Sequence, residues 1–475
     1  MIPLRLDEVA QIVGGEVHGD AGLVVDGAAY ADNRSPVERG LYVAIVGERA
    51  DGHAFAHGAH AVLGSRPTSA PTVVVTDPVV ALGRLARHVV DELPAQVVAL
   101  TGSQGKTGTK DLLAHVLGSA GPTVATTANN NNELGVPLTV LRADATTEHL
   151  VVEMGARGIG HIAYLCEIAP PETAVVLNVG TAHVGEFGGV EAIAAAKGEI
   201  VESLSAQGVA VLNADDPRVA AMASRTAAWV LTFGLSGEVT WRNVQLDDRG
   251  RASFDLGYDG QWCEVRLLQT GAHVVANAAA AAAVGIARGL ALPDLAAALS
   301  TAQDASPWRM ELHDRADGLR VLNDSYNANP ASMAAAIEAL ASLGRARSGR
   351  TIAVLGEMKE LGDEHLVGHR EVGVRAAEAG IDVVVVVGEA AQGIAQGIAQ
   401  GAADSNVEVV RAAGRDAALA WVRKNAEADD VVLVKASRAA ALEWVAEQLL
   451  TATGTQPGTK PETKPHTPNG GATRR

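Results

Sequence analysis

Short, uninterrupted, valine-rich apolar runs punctuate the chain, and most are separated from the next by a stretch with helical patterning. A run without polar alternation has no face to offer water. It predicts a strand buried on both sides, which belongs in a parallel sheet covered by helices. The runs are Leu41–Val46 and Thr72–Thr76, then Gln96–Leu100, Leu150–Val152 and Thr173–Leu177, then Leu319–Leu322, Thr351–Leu355, Asp382–Val387 and Val431–Val434. One hydrophobic core rarely grows beyond about 250–300 residues, so a chain of 475 needs several. The reading is α/β with three domains: a mixed α/β domain over 1–94, a parallel-sheet domain over 95–305 and a Rossmann-like α/β domain over 306–451. Residues 452–475 are mostly Thr, Pro, Gly and Lys, cannot bury enough apolar surface to offset ordering entropy, and are predicted to be disordered.

Charge narrows the partners. A net charge of −17 argues against a nucleic-acid or anionic-membrane partner, since both need a basic surface. No apolar run reaches the roughly 18–20 residues that a membrane span requires. The start, Met1 to Gly15, lacks the apolar core of a secretion signal. Cys166 and Cys263 stand in unrelated contexts, with neither disulfide nor zinc spacing. A cytoplasmic, monomeric protein acting on small molecules is the expectation.

Polar clusters fall just after the strands: Thr101–Thr107, Glu153, Asn178–His183, Asp324–Asn329 and Lys435–Arg438. Ligands of open α/β sheets bind outside the carboxyl ends of strands, so two such edges facing each other predict an interdomain cleft. The first cluster is the most informative. Gly102, Ser103, Gln104, Gly105, Lys106 and Thr107 link a strand to a helix whose apolar face is Leu112, Leu113, Val116 and Leu117. Glycines there let backbone N–H groups converge on phosphate oxygens at a helix N-terminus. Lys106 would neutralise phosphate charge and Thr107 would ligate Mg²⁺. The spacing is shorter than the usual Walker pattern.

That shortened loop resembles the one carried by the Mur ligase and folylpolyglutamate synthetase superfamily, and the resemblance spans roughly Pro3 to Leu450. Asn129–Pro137, Asn323–Pro330 and Gly356–Met358 with Glu360–Gly362 are similar to the family's D-alanyl-D-alanine-adding ligases. The resemblance implies a UDP-sugar-binding first domain, a P-loop ATPase-like central domain and a last domain admitting the incoming amine. It implies ATP-dependent joining of D-alanyl-D-alanine to a UDP-muramoyl tripeptide, in the peptidoglycan synthesis that supports cell shape and division. Three departures stand out: Asn33 in place of Ser or Thr, Gly108 in place of a hydroxyl residue, and Ala436 in place of Gly.

Site residues follow from the same resemblance. Thr107, Glu153 and His183 are implied Mg²⁺ ligands, and Lys197 an implied carbamylated ligand of a second Mg²⁺. By residue type alone, Glu153 is equally a helix cap, His183 an exposed histidine and Lys197 a solvated helix lysine. Asn277, Arg309 and Asp324 are implied ATP contacts, with a cap, a surface salt bridge and a turn acid as their plain alternatives. Asp32, Asn33 and Arg34 are candidates for the UDP-sugar end, and Asn131, Asn132, Tyr326, Asn327 and Asn329 for the peptide and dipeptide. A nucleotide-sensing module without ligase chemistry is the rival from another class. The joint presence of Glu153, His183 and Lys197 argues against it.

Overall fold

The computed structural model describes residues 1–48, 50–180, 187–401 and 406–451. His183 and the segment 452–475 lie outside the described residues.

Strands form where the valine-rich runs predict them, with ends shifted by a few residues. In the middle of the chain Trp229–Phe233, Val209–Asn213, Thr173–Val176, Gln96–Thr101, His149–Glu153 and Thr123–Ala125 lie side by side in that order, all parallel. Val98, Leu100, Val151 and Val175 point to one face of this sheet, while Val97, Leu150, Val152 and Val176 point to the other. One core is continuous with the N-terminal region, through the helices Leu6–Val13 and Pro78–Glu92. The opposite core holds the helices Lys106–Gly118 and Val274–Ala287, in which Ala278–Ala283 are wholly buried.

A second, antiparallel sheet of three strands, Thr240–Leu246, Arg251–Tyr258 and Gln261–Thr270, closes that core. The alternation of βα units does not foretell it. Its outer face is polar, as an antiparallel sheet with one wet side should be.

The last domain repeats the parallel plan. Glu311–Asp314, Arg320–Asn323, Val431–Lys435, Thr351–Leu355, Val383–Val387 and Glu408–Ala412 lie in that order, parallel except for the first. Cores cover both faces. The N-terminal sheet has five strands, of which Ala29–Tyr30, Leu41–Val43, Ala61–Gly64 and Thr72–Val74 are parallel and Glu16–His18 is antiparallel. Among the described residues no helix is long and apolar enough to cross a membrane.

Candidate active site

The carboxyl edges of the middle and last sheets face one another across a cleft of about 1170 Å³. On one side, strand Gln96–Thr101 ends in the phosphate loop and helix Lys106–Gly118 begins. Gly105, at φ +78°, caps that helix in a left-handed conformation that side chains resist. The Lys106 ammonium donates to the Gly102 carbonyl at 2.7 Å and so curls back over the loop. Burial pushes Lys106 below its usual range, Glu153 opposes this and Arg309 adds to it.

Glu153 ends the neighbouring strand, is 3% exposed and is held from three sides. Its Oε2 accepts from the Thr107 hydroxyl at 3.2 Å and its Oε1 from the Asn131 amide at 2.8 Å. Its N–H donates to Thr126 Oγ1 at 3.0 Å. Thr107 and Glu153 thus sit as a pair of hard oxygen donors beside the loop, the donor type Mg²⁺ prefers when it keeps several waters. Among the described residues no cluster of three or more His, Cys, Asp or Glu side chains stands ready for a metal. The oxygen pair, rather than an all-protein cage, is what fits.

Asn178 ends the next strand over. Its Oδ1 accepts from the N–H groups of Ser103 and Gln104, both at 3.0 Å, and its Nδ2 donates to the Gln104 carbonyl at 3.1 Å. One amide therefore fixes the first half of the loop. Asn277, at the start of helix Val274–Ala287, braces the second half. A Cβ added at Gly105 would fall 2.8 Å from its Oδ1, and one at Gly108 would fall 3.1 Å from its Nδ2. The departure at Gly108 therefore leaves room for Asn277.

Lys197 is 6% exposed, lines the cleft and has no hydrogen-bond or ion-pair partner among the described residues. Burial, and then the nearby Lys106 charge, push its ammonium well below the usual range. Behind it, Glu199 accepts from Gly160 N–H at 2.6 Å and Ala163 N–H at 3.0 Å, capping helix His161–Ile168.

The last domain contributes Arg309, Asp324, Tyr326, Asn327 and Asn329 to the same cleft. Arg309 Nη2 donates to Thr107 Oγ1 at 3.2 Å, across 202 positions of sequence, and its guanidinium lies 4.0 Å from the centre of the Tyr326 ring. Asp324 is 7% exposed and accepts from Met310 N–H at 3.2 Å and from Lys435 at 2.6 Å. Asn329 caps helix Pro330–Arg345, and Asn132 accepts from Gly135 N–H at 2.9 Å. Asn327 Oδ1 accepts from Ala328 N–H at 2.9 Å.

Asp32, Asn33 and Arg34 do not reach this cleft. They form an exposed turn after strand Ala29–Tyr30, at the carboxyl edge of the N-terminal parallel strands. Arg34 donates to both oxygens of Asp32, at 2.9 and 2.7 Å, and holds that carboxyl down at about 2. Asp51 caps the turn Gly52–Phe55 and accepts from His53 Nδ1 at 2.7 Å, and His53 Nε2 accepts from Ser65 N–H at 2.9 Å. That network serves the fold of the first domain. Asn178 and Lys435 open two of the polar clusters that follow strands, but what each one does is not legible locally, because their partners lie more than 70 positions away.

Two family models match this chain: the Mur ligase middle domain over residues 100–285 and the Mur ligase, glutamate ligase domain over 308–438. A UDP-N-acetylmuramoyl-tripeptide--D-alanyl-D-alanine ligase from Mycobacterium tuberculosis is 42% identical, with 95% of this chain and 98% of that protein covered. The chain belongs to the Mur ligase family. Among solved structures, this Mur ligase is similar to MurF from Acinetobacter baumannii, with a TM-score of 0.84 at 31% identity, covering 94% of this chain and 99% of that one. It is similar also to the MurF ligase from Thermotoga maritima, solved in complex with ADP, with a TM-score of 0.76 at 31% identity over 88% of this chain and 96% of that one. The Mur ligase chain is therefore an enzyme that forms peptide bonds, built on the three-domain plan read from its strands.

Proposed function

We propose that this ligase joins D-alanyl-D-alanine to UDP-N-acetylmuramoyl-tripeptide with ATP, giving the UDP-muramoyl-pentapeptide precursor of peptidoglycan, ADP and phosphate. The observation that carries it is the reach of Arg309 to Thr107, which brings a second cation onto the phosphate loop from the opposite domain. The relatives' shared activity supports the choice of substrates.

A carboxylate is a poor acyl donor until its oxygen is phosphorylated. The tripeptide's terminal carboxylate attacks the γ-phosphorus and ADP leaves, giving an acyl phosphate. The amine of D-alanyl-D-alanine then attacks the acyl carbon, the amide forms, and phosphate and a proton depart. Lys106 and Arg309 offset negative charge as the phosphoryl group moves. Gly102–Thr107 cradle the phosphates, Asn277 and Asp324 hold the nucleoside end, and closure of the cleft on the nucleotide would exclude water. Thr107, Glu153 and His183 would hold Mg²⁺, which supplies Lewis-acid neutralisation of the phosphate oxygens. Lys197, whose burial favours the neutral amine, would add to CO₂ through its amine nitrogen and lose a proton, becoming an anionic oxygen donor for a second Mg²⁺.

Asn131 and Asn132 stand at the peptide end of the cleft, Tyr326, Asn327 and Asn329 at the dipeptide end, and Asp32, Asn33 and Arg34 would receive the uridine end. The enzyme is proposed to work as a monomer, in the cytoplasm where its nucleotide substrates are. The test is phosphate release from ATP and Mg²⁺ with UDP-muramoyl tripeptide, with and without D-alanyl-D-alanine. Release that needs both, with a pentapeptide product by mass, is expected. Release with a different amine instead would overturn the substrate assignment.

A further inference from the structure

Arg309 reaches the phosphate loop from an unusual stretch of backbone. The residues on either side of it, Trp308 at φ +59° and Met310 at φ +54°, both adopt the left-handed conformation that a Cβ disfavours. Two such residues around one arginine persist only where the surroundings impose them. The guanidinium itself is lightly held. Among the described residues it has one hydrogen bond, to Thr107, and one ring beneath it, while its Nε is buried without a partner there. Its position is therefore set by its backbone more than by its own contacts.

The loop after strand Arg320–Asn323 imposes that backbone. Tyr326 N–H donates to the Trp308 carbonyl at 3.2 Å, and Asp324 Oδ1 accepts from Met310 N–H at 3.2 Å. That loop is in turn fixed from below by Lys435, at the end of the adjacent strand Val431–Lys435. Lys435 is 1% exposed, and its ammonium donates to Asp324 Oδ2 at 2.6 Å, to the Asn327 carbonyl at 2.8 Å and to the Asp324 carbonyl at 3.4 Å. A lysine has three protons to give, and all three have acceptors on this one loop.

We infer that Lys435 is a positioning residue for Arg309. It fixes Asp324, Asp324 fixes Met310, and the strained segment Trp308–Met310 then presents the guanidinium to Thr107. This rests on the proposed role of Arg309 toward the migrating phosphoryl group. Displacing a reacting partner by about 1 Å costs on the order of 10²-fold in rate, so losing the clamp should cost a large part of what losing the guanidinium costs.

A double-mutant cycle in the full chain tests it, with phosphate release read at saturating ATP, UDP-muramoyl tripeptide and D-alanyl-D-alanine. Arg309→Ala is expected to lower kcat by about 10²–10³-fold and Lys435→Met by about 10²-fold. Adding Arg309→Ala to Lys435→Met should then cost less than tenfold more. A lysine that merely supported the fold would leave the Arg309→Ala penalty the same in both backgrounds, and that result, or an unchanged kcat in Lys435→Met, overturns the inference. The second variant, Lys435→Met/Asp324→Asn, removes the stranded carboxylate yet keeps an oxygen for Met310 N–H. It should fold and, with the lysine still missing, stay slow in kcat at saturating ATP; a folded double variant that turns over like the wild type also overturns it. No phosphate from the wild type with any amine would instead sink the ligase reading, and the cycle would then be read in ATP affinity.

Discussion

Lys197 in the middle domain and Lys435 in the last domain are almost equally buried and line the same cleft. Their surroundings differ. Lys435 is ringed by a carboxylate and two carbonyls, whereas Lys197 has no such partner among the described residues. Burial lowers the pKa of both, but Asp324 pulls Lys435 back up, while the Lys106 charge drives Lys197 further down. A buried cation with its acceptors in place organises the protein around it. One without them keeps its burial penalty unrelieved, at a cost in stability. The two lysines divide the work accordingly: Lys197 stands open toward the cleft, and Lys435 is committed to holding a loop in place.

The largest effect expected is on the open side. Lys106→Ala should lower phosphate release by about 10²–10³-fold while the thermal melt stays cooperative; near-normal turnover would remove Lys106 from the mechanism. Next come the paired substitutions that bear on the contrast most directly. Lys435→Met strands the Asp324 carboxylate and should destabilise the chain by about 3–5 kcal/mol, read from denaturant unfolding. Lys197→Met should do the opposite at neutral pH and raise the melting temperature while abolishing turnover. The sign follows from linkage. The folded pKa of Lys197 lies below the usual 10.5 of the unfolded chain, so the folded state binds fewer protons in between. Its cost is full below the folded pKa and fades as the pH climbs toward 10.5, so the advantage of Lys197→Met should shrink along the same path. Two variants that destabilise equally, at every pH, would erase the distinction between the lysines.

Asn178→Ala is a smaller perturbation. It removes two acceptor contacts from the phosphate loop, each worth about 1 kcal/mol, and should raise KM for ATP roughly tenfold with little change in KM for D-alanyl-D-alanine. An unchanged KM for ATP would show that the loop holds its shape without that amide. Arg34→Ala is the smallest: its exposed pair with Asp32 should leave melting unaltered, and KM for the UDP-linked substrate should rise only about two- to fivefold.

What the sequence made legible was local. Strand Gln96–Thr101, the glycines and helix Lys106–Gly118 are contiguous, so the phosphate loop could be read from one segment. Glu153 was recognisable from its place at the end of a valine run. The clamp on Arg309 was not, because Lys435, Asp324 and Met310 meet only through the order of strands in the sheet. The antiparallel sheet Thr240–Thr270 was missed for another reason. Its strands are half-polar and carry bulges between Arg242 and Gln245 and between Arg251 and Ser253, which blurs the period-two signal. Asn131 shows what a motif leaves out: its amide supports Glu153, a contact that only three-dimensional proximity exposes.

The helix Val274–Ala287 packs against Lys106–Gly118, and its run of six alanines, Ala278–Ala283, is wholly buried. Alanine has no rotamers to lose, so ordering this contact takes almost no side-chain entropy from the folded state. Nor do these alanines have rotamers through which their side of the contact could loosen on warming. The seat of Asn277 against Gly105 and Gly108 is therefore set by backbone against backbone, and heating should disturb the phosphate loop only once the surrounding domain itself begins to melt.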